Sequence, residues 1–153
     1  MRTRMAMMLV LAGVALSAAA STAAFGQVQM QIVPTGAMNW VPCDPNAAQP
    51  DACQFAFIRG DPAKEAHDRM VKFKAGFTVP AHWHTANEYV VMTKGTMKIA
   101  AEGGQEQGTV LKAGDYLFIP ARNIHWVPST DGCVFYLYVD GPDSYFDAKA
   151  QRP

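Results

Sequence analysis

The sequence carries no surplus of charge: 13 Lys plus Arg stand against 13 Asp plus Glu across 153 residues. A nucleic-acid binder would need a basic stripe or patch, and none is present. Beyond the first 26 residues no apolar run approaches the roughly 20 residues that span a bilayer as a helix. Nor does any long stretch repeat its apolar residues with a period of 3.6, so extended amphipathic helices are not expected. Internal repeats and a second domain are also missing. Cysteine is scarce, three in all, and no Cys-X-X-Cys pair exists to support a redox or zinc-ribbon reading.

What is there begins with a leader-like N-terminus. Arg2 and Arg4 precede an apolar run over residues 5–20, and small residues follow. That order is the pattern of a secretory signal peptide. Ala24-Phe25-Gly26 places small residues at the −3 and −1 positions of a cut before Gln27, with Ala18-Ala19-Ala20 as a second site. An uncleaved anchor is the other reading, but the run is shorter than a membrane span, which favours cleavage. No cysteine precedes Cys43, so there is no attachment point for a lipid at the cut. The expectation is a signal peptide over residues 1–26 and one exported domain over residues 27–153, periplasmic or secreted. Losing Arg2 and Arg4 leaves 11 Lys plus Arg against 13 Asp plus Glu, a net of −2. Cys43 and Cys53 flank the loop CDPNAAQPDAC, and in an oxidising compartment they are candidates for a bridge. Closing that eleven-residue loop would contribute about 3 kcal/mol. Cys133, inside CVFYLYV, reads as a buried inert thiol.

Short strand signals then recur between Gly, Pro and Asp turns. They fall at residues 28–33, 54–59, 68–74, 88–93, 96–101, 109–112, 116–119, 124–128 and 133–139. Lys94-Gly95 reads as a short hairpin between two of them. The tail, residues 140–153, is polar, with a short helix expected near residues 145–150. This spacing predicts an all-β antiparallel jelly roll or barrel. One parity of residues 116–119 and 135–139 should line its interior, where aromatic rings serve core packing more often than ligand contact.

The stretch that stands out is residues 76–95, GFTVPAHWHTANEYVVMTKG. His82 and His84 share a face on an extended chain. Glu88, six residues after His82, shares their parity if the chain stays extended or turns back in register. Trp83 and Tyr89 should point the opposite way. Two imidazoles and a carboxylate in one space suit a divalent transition metal. Further on, residues 114–129 read GDYLFIPARNIHWVPS, where His125 follows a Pro-initiated turn that can return the chain across a barrel.

Together these stretches resemble the two motifs of the cupin family. The first is Gly, five residues, His-X-His, three or four residues, Glu, six residues, Gly; Gly76, His82, His84, Glu88 and Gly95 match it throughout. The second is Gly, five residues, Pro-X-Gly, two residues, His, three residues, Asn. Gly114, Pro120 and His125 match it, while Arg122 replaces the second Gly and Ser129 the Asn. Neither departure removes a ligand. Asn123 is suited to the left-handed backbone that the missing Gly would have supplied. Arg122 reads as solvent-facing, with contact to an anionic substrate or a partner chain as the sharper alternative.

The resemblance covers residues 69–139 and implies a small jelly-roll barrel with His82, His84, Glu88 and His125 meeting inside it. They would hold one divalent transition metal: iron, manganese, nickel, copper or zinc. It implies a metal-dependent enzyme, dioxygenase-like, acting on a small organic molecule. Isomerase, lyase and decarboxylase chemistry belongs to similar proteins, and a non-catalytic cupin that binds or senses a small ligand through its metal is the alternative class. Glu88 would be a fourth ligand or, shifted off the metal, a general base. Resemblance also implies a homodimer. His67 lies outside both motifs and is expected on the surface.

Overall fold

The computed structural model describes residues 30–152, so the leader and its cleavage point lie outside the described residues. The chain divides after Gln31, and nine strands belong to the unit that starts at Ile32. In chain order they are β1 (Val41–Pro42), β2 (Cys53–Arg59), β3 (His67–Phe73), β4 (Val79–Trp83), β5 (Glu88–Ala101), β6 (Gln105–Lys112), β7 (Tyr116–Ile119), β8 (His125–Val139) and β9 (Phe146–Asp147). Every pairing among them is antiparallel.

Two long strands carry the architecture. β5 and β8 lie side by side from the Glu88↔Val139 pair to the Ala101↔His125 pair. Midway along, each changes its other neighbour. β5 pairs first with β7 and then with β6, while β8 pairs first with β4 and then with β3. One edge therefore continues through β3 to β2 and β1, the other through β4 to β9. Long strands that pass from one sheet into the other are what closes an all-β antiparallel jelly roll.

The bend sits where two glycines meet. Gly95 and Gly132 both have positive φ, 72° and 91°, and Gly95 pairs with Cys133 amid register shifts on β5. A Cβ on Gly95 would run into the carbonyl oxygen of Gly132, so the corner admits glycine and nothing larger. This corrects the sequence expectation twice over. Lys94-Gly95 is a bulged corner inside one continuous strand, not a hairpin, and the two strands expected at residues 124–128 and 133–139 are the single strand β8, which starts at His125.

Alternation along the strands defines the interior. Val71 and Phe73 of β3, Val90 and Met92 of β5, and Phe135, Leu137 and Val139 of β8 are buried in one cluster. Phe73 and Phe135 meet edge to face with centroids 5.3 Å apart, an arrangement worth about 1 kcal/mol beyond the area it buries. On β7 the inward parity is Leu117 and Ile119, while Tyr116 and Phe118 face out. Cys133 is buried, and burial pushes its thiol up, as suits an inert core residue.

Two further expectations fail. Residues 30–33 form no strand, the rest of that segment lying outside the described residues. The tail forms no helix near residues 145–150 but adds the short strand β9 to β4.

Candidate metal centre

Strand geometry brings three imidazoles together. His82 on β4 pairs directly across with His125, the first residue of β8, and His84 follows two residues on, just past the end of β4. Their ligand-capable nitrogens all lie within 4.8 Å of one another, and all three residues are buried. Trp83, between them, faces away: it does not line the cavity and stacks on Phe146 at 4.3 Å. After β4 the chain turns through residues 84–87, and Glu88 opens β5 on the same space. Its carboxylate oxygens lie 3.6 Å from Nε2 of His84 and 3.5 Å from Nε2 of His125. Glu88 thus touches two of the three imidazoles but falls outside the tight cluster that the three form.

Each imidazole is held by its far nitrogen. His82 Nδ1 lies 2.7 Å from the Pro80 carbonyl and His125 Nδ1 3.1 Å from that of Asn123. His84 Nδ1 meets the Ser144 carbonyl. A carbonyl only accepts, so each Nδ1 must carry its proton and donate, which leaves the Nε2 lone pair free. Such outer-shell bonds fix tautomer and ring orientation in metal-binding histidines. Burial, opposed by the Pro80 contact, lowers His82 to about 4. Burial and the neighbouring His82 lower His125 to about 3. Both are therefore neutral near pH 7, the form that binds a metal. Burial pushes the Glu88 carboxyl up, with His84 and Arg69 pulling it back. The donor set and its protonation fit a divalent transition metal.

Three loops converge on this end of the barrel. Asn87 ties them: its Oδ1 accepts from the Ala121 N–H at 2.8 Å, and its Nδ2 donates to Asp140 at 2.7 Å. The Arg122 N–H donates to the His84 carbonyl at 2.7 Å. Arg122 itself, not Asn123, takes the left-handed backbone, at φ 65°, and its side chain is exposed.

The tail supplies what sequence reasoning missed. Ser144 provides the carbonyl for His84, and its Oγ bonds the Thr85 N–H at 2.8 Å. Tyr145 stacks on His82, rings 4.4 Å apart and 15° from parallel. No local pattern marks these residues. Arg69 was also missed, although it shares the inward parity of Val71 and Phe73 on β3. The same parity corrects the expectation for His67. It is 1% exposed, with Nδ1 3.2 Å from the Glu65 carbonyl, because it sits one alternation before Arg69 on the buried face.

Beside the imidazoles and Glu88 lies a cavity of about 790 Å³. Its walls are mainly apolar, among them Phe55, Phe77, Leu117, Val127 and Phe135, with Tyr145 at the imidazoles and Arg69 as its cation. The loop between Cys43 and Cys53, which are joined by a disulfide with Cα atoms 5.4 Å apart, forms part of the wall.

Comparison with known proteins agrees with this fold. The profile of the ChrR cupin-like domain matches residues 28–142. A curated relative, the DNA damage-repair/toleration protein DRT102 of Arabidopsis thaliana, is 36% identical over 72 residues. That match takes in 47% of this chain and 23% of the relative, so the chain spans about a quarter of the relative's length. An RmlC-like cupin of Ralstonia eutropha superposes with a TM-score of 0.65 at 20% identity, over 85% of this chain and 80% of that one. An acetylacetone dioxygenase of Acinetobacter johnsonii superposes with a TM-score of 0.59 at 20% identity, over 80% of each chain. At such identities the solved structures speak for the fold alone.

Proposed function

We propose, starting from the fact that the chain belongs to the ChrR cupin-like domain family, that it is an exported mononuclear-metal enzyme. In this reading it is dioxygenase-like and acts on a small organic molecule. One observation carries the reading. All three imidazoles have Nδ1 against a backbone carbonyl, so all three Nε2 atoms are turned toward one another as bases. Buried histidines that served packing alone would not need one shared tautomer and one shared target. His82, His84 and His125 hold the metal, with Glu88 as fourth ligand. A divalent ion there supplies Lewis acidity and open coordination positions for a reacting molecule.

The chain's own residues do the rest. The apolar walls exclude water from the reacting end of the ligand. Tyr145, stacked on His82, limits the space over that imidazole. Glu88, held toward its protonated form by burial, is placed to take or return a proton through a carboxylate oxygen when it is not bound to the metal. The mainly apolar walls suit equally the second reading, a non-catalytic cupin that uses its metal to bind or sense a small ligand.

Export rests on the leader pattern of residues 1–26 and is supported by the Cys43–Cys53 disulfide, a bond that persists in oxidising compartments. An intact mass that still includes Met1 would sink it. The functional test has two parts. Metal analysis of chain purified without added metal should find close to one transition metal per chain, lost in His84→Ala; chain that is empty in repeated preparations overturns both readings. Oxygen uptake over a panel of small phenols and diketones then separates them. Uptake with some member supports the enzyme, and metal-loaded chain inert to all supports the binding protein.

A further inference from the structure

Among the described residues that line the cavity, Arg69 is the only Lys or Arg. It is 4% exposed, and it is held in an unusual way for a buried cation. Its guanidinium lies 4.2 Å over the ring of Phe55 and 5.8 Å from that of Phe57, a cation–π seat that fixes the plane of the fork. Nη1 sits 3.4 Å from His67 Nε2. Among the described residues Nε is buried without a hydrogen-bond partner, and the one carboxylate that bonds the guanidinium is that of Asp143, with Oδ2 2.5 Å from Nη1 and Oδ1 3.4 Å from Nη2.

That partner reaches the fork from the tail, where the Asp143 N–H is anchored to the Pro62 carbonyl at 2.6 Å while its carboxylate stays partly open to solvent. Asp143 stands in the connection between β8 and β9, and its side chain is 33% exposed where that of Arg69 is 5%. A rigid buried fork thus faces the cavity and is met by a carboxylate from a segment open to solvent. A guanidinium fork matches a carboxylate through two parallel N–H bonds, and Asp143 occupies that position with one strong and one weak bond. Phe55 and the other apolar walls suit the hydrocarbon body of the same ligand. They do not suit a small hydrated oxyanion such as phosphate, whose remaining charge would be left against them.

We propose that Arg69 is the anion-recognition residue of the cavity, and that the ligand is a small organic carboxylate whose carboxylate takes the place of Asp143. The proposal rests on reading the cavity as a ligand site and goes further by naming the ligand's class.

The test uses benzoate as probe, with benzamide as its neutral counterpart, titrated by NMR into the full chain and two variants. Losing a charge-assisted fork should weaken benzoate at least about tenfold in Arg69→Met, with benzamide unchanged. In Asp143→Asn the internal competitor is gone, and benzoate should bind several-fold more tightly. Equal benzoate affinity in wild type and Arg69→Met overturns the proposal, as does a wild type blind to benzoate. Weaker benzoate binding in Asp143→Asn overturns it too, since the pair would then be a latch that shapes the cavity. If Arg69→Met does not fold, the sign of the Asp143→Asn effect decides alone. Metal content is read on the same samples. A chain without metal that binds benzoate through Arg69 sinks the metal reading and leaves this one; a metal-loaded chain blind to benzoate sinks this one only.

Discussion

Replacing Cys43 and Cys53 together by serine removes a constraint whose size follows from the chain. The bridge spans a sequence separation of 10, so it closes an eleven-residue ring, and the loop-closure entropy withdrawn from the unfolded chain is worth about 3 kcal/mol at 25 °C. The base of the loop is tied independently. The Cys43 N–H donates to the Cys53 carbonyl at 3.0 Å, and the Lys74 N–H to the Ala52 carbonyl at 2.9 Å. The double variant should therefore fold and lose stability, not collapse. An unfolding entropy of about 2 cal/mol/K per residue gives a domain of about 120 residues roughly 0.25 kcal/mol/K, so 3 kcal/mol lowers the midpoint by about 12 °C. Calorimetry in EDTA, with wild type and variant scanned side by side, keeps metal binding out of the comparison. A drop under about 3 °C would refute the reasoning, because the ring would then impose almost nothing on the unfolded chain. The measurement also bears on the cavity, whose wall includes this loop.

Three further outcomes are expected. The folded-state values of His82 and His125, about 4 and about 3, lie below the unfolded value near 6.5, so the unfolded chain binds more protons between roughly pH 3 and 6.5 and metal-free stability rises with pH there. The raised Glu88 carboxyl acts in the opposite sense; urea midpoints of Glu88→Gln should therefore be higher at pH 7 than at pH 5, and equal midpoints would contradict the burial of neutral imidazoles. Arg122→Gly relieves a left-handed backbone at φ 65° and should stabilise the fold by about 0.5–1 kcal/mol, read as a higher melting midpoint. The outer face of β5 and β7 exposes Tyr116 at 60% and Phe118 at 45%, with Tyr89 packed on Phe118 at 5.1 Å; if the homodimer expected from the sequence forms through this face, light scattering should give twice the chain mass for the wild type and monomer for Phe118→Glu, and a dimer that survives Phe118→Glu would rule the face out.

Much of the site was legible because its residues lie where local pattern reaches. His82 and His84 share a face through strand alternation, and His125 follows a turn that its own Pro120 begins. What escaped the sequence is decided by residues far apart along the chain. A glycine at φ 72° serves a hairpin or a bulge equally well, and only Gly132 across the sheet decides that Gly95 is a corner. The tail carries no periodic signal, because its place is set by His84, Trp83 and Arg69 and not by its neighbours. His67 and Arg69 show a different failure. Met70 beside Val71 leaves the facing of that strand open in the sequence, and His67 lies outside both motifs; their burial is decided by partners far along the chain, a buried charge being tolerable once it finds one such as Asp143.

The residues of this centre divide into two sets with different freedom to vary. The imidazoles are fixed by register: His82 stands opposite His125, and any shift of β4 against β8 would separate them. Their seating is delegated to backbone, since the carbonyls of Pro80, Asn123 and Ser144 do the orienting whatever side chains those positions carry. Part of the cavity wall, Phe77, Leu117 and Val127 included, lies within the histidine motifs, but the rest is under no such constraint. Phe55 and Arg69 come from β2 and β3, Asp143 and Tyr145 from the tail, and the loop between Cys43 and Cys53 from outside either histidine motif. A metal site of this kind can therefore persist while the walls change their ligand. On the proposed reading, ligand choice is set by Arg69 and its surroundings, so exchanging Arg69 should alter which molecules bind and leave the measured metal content unchanged.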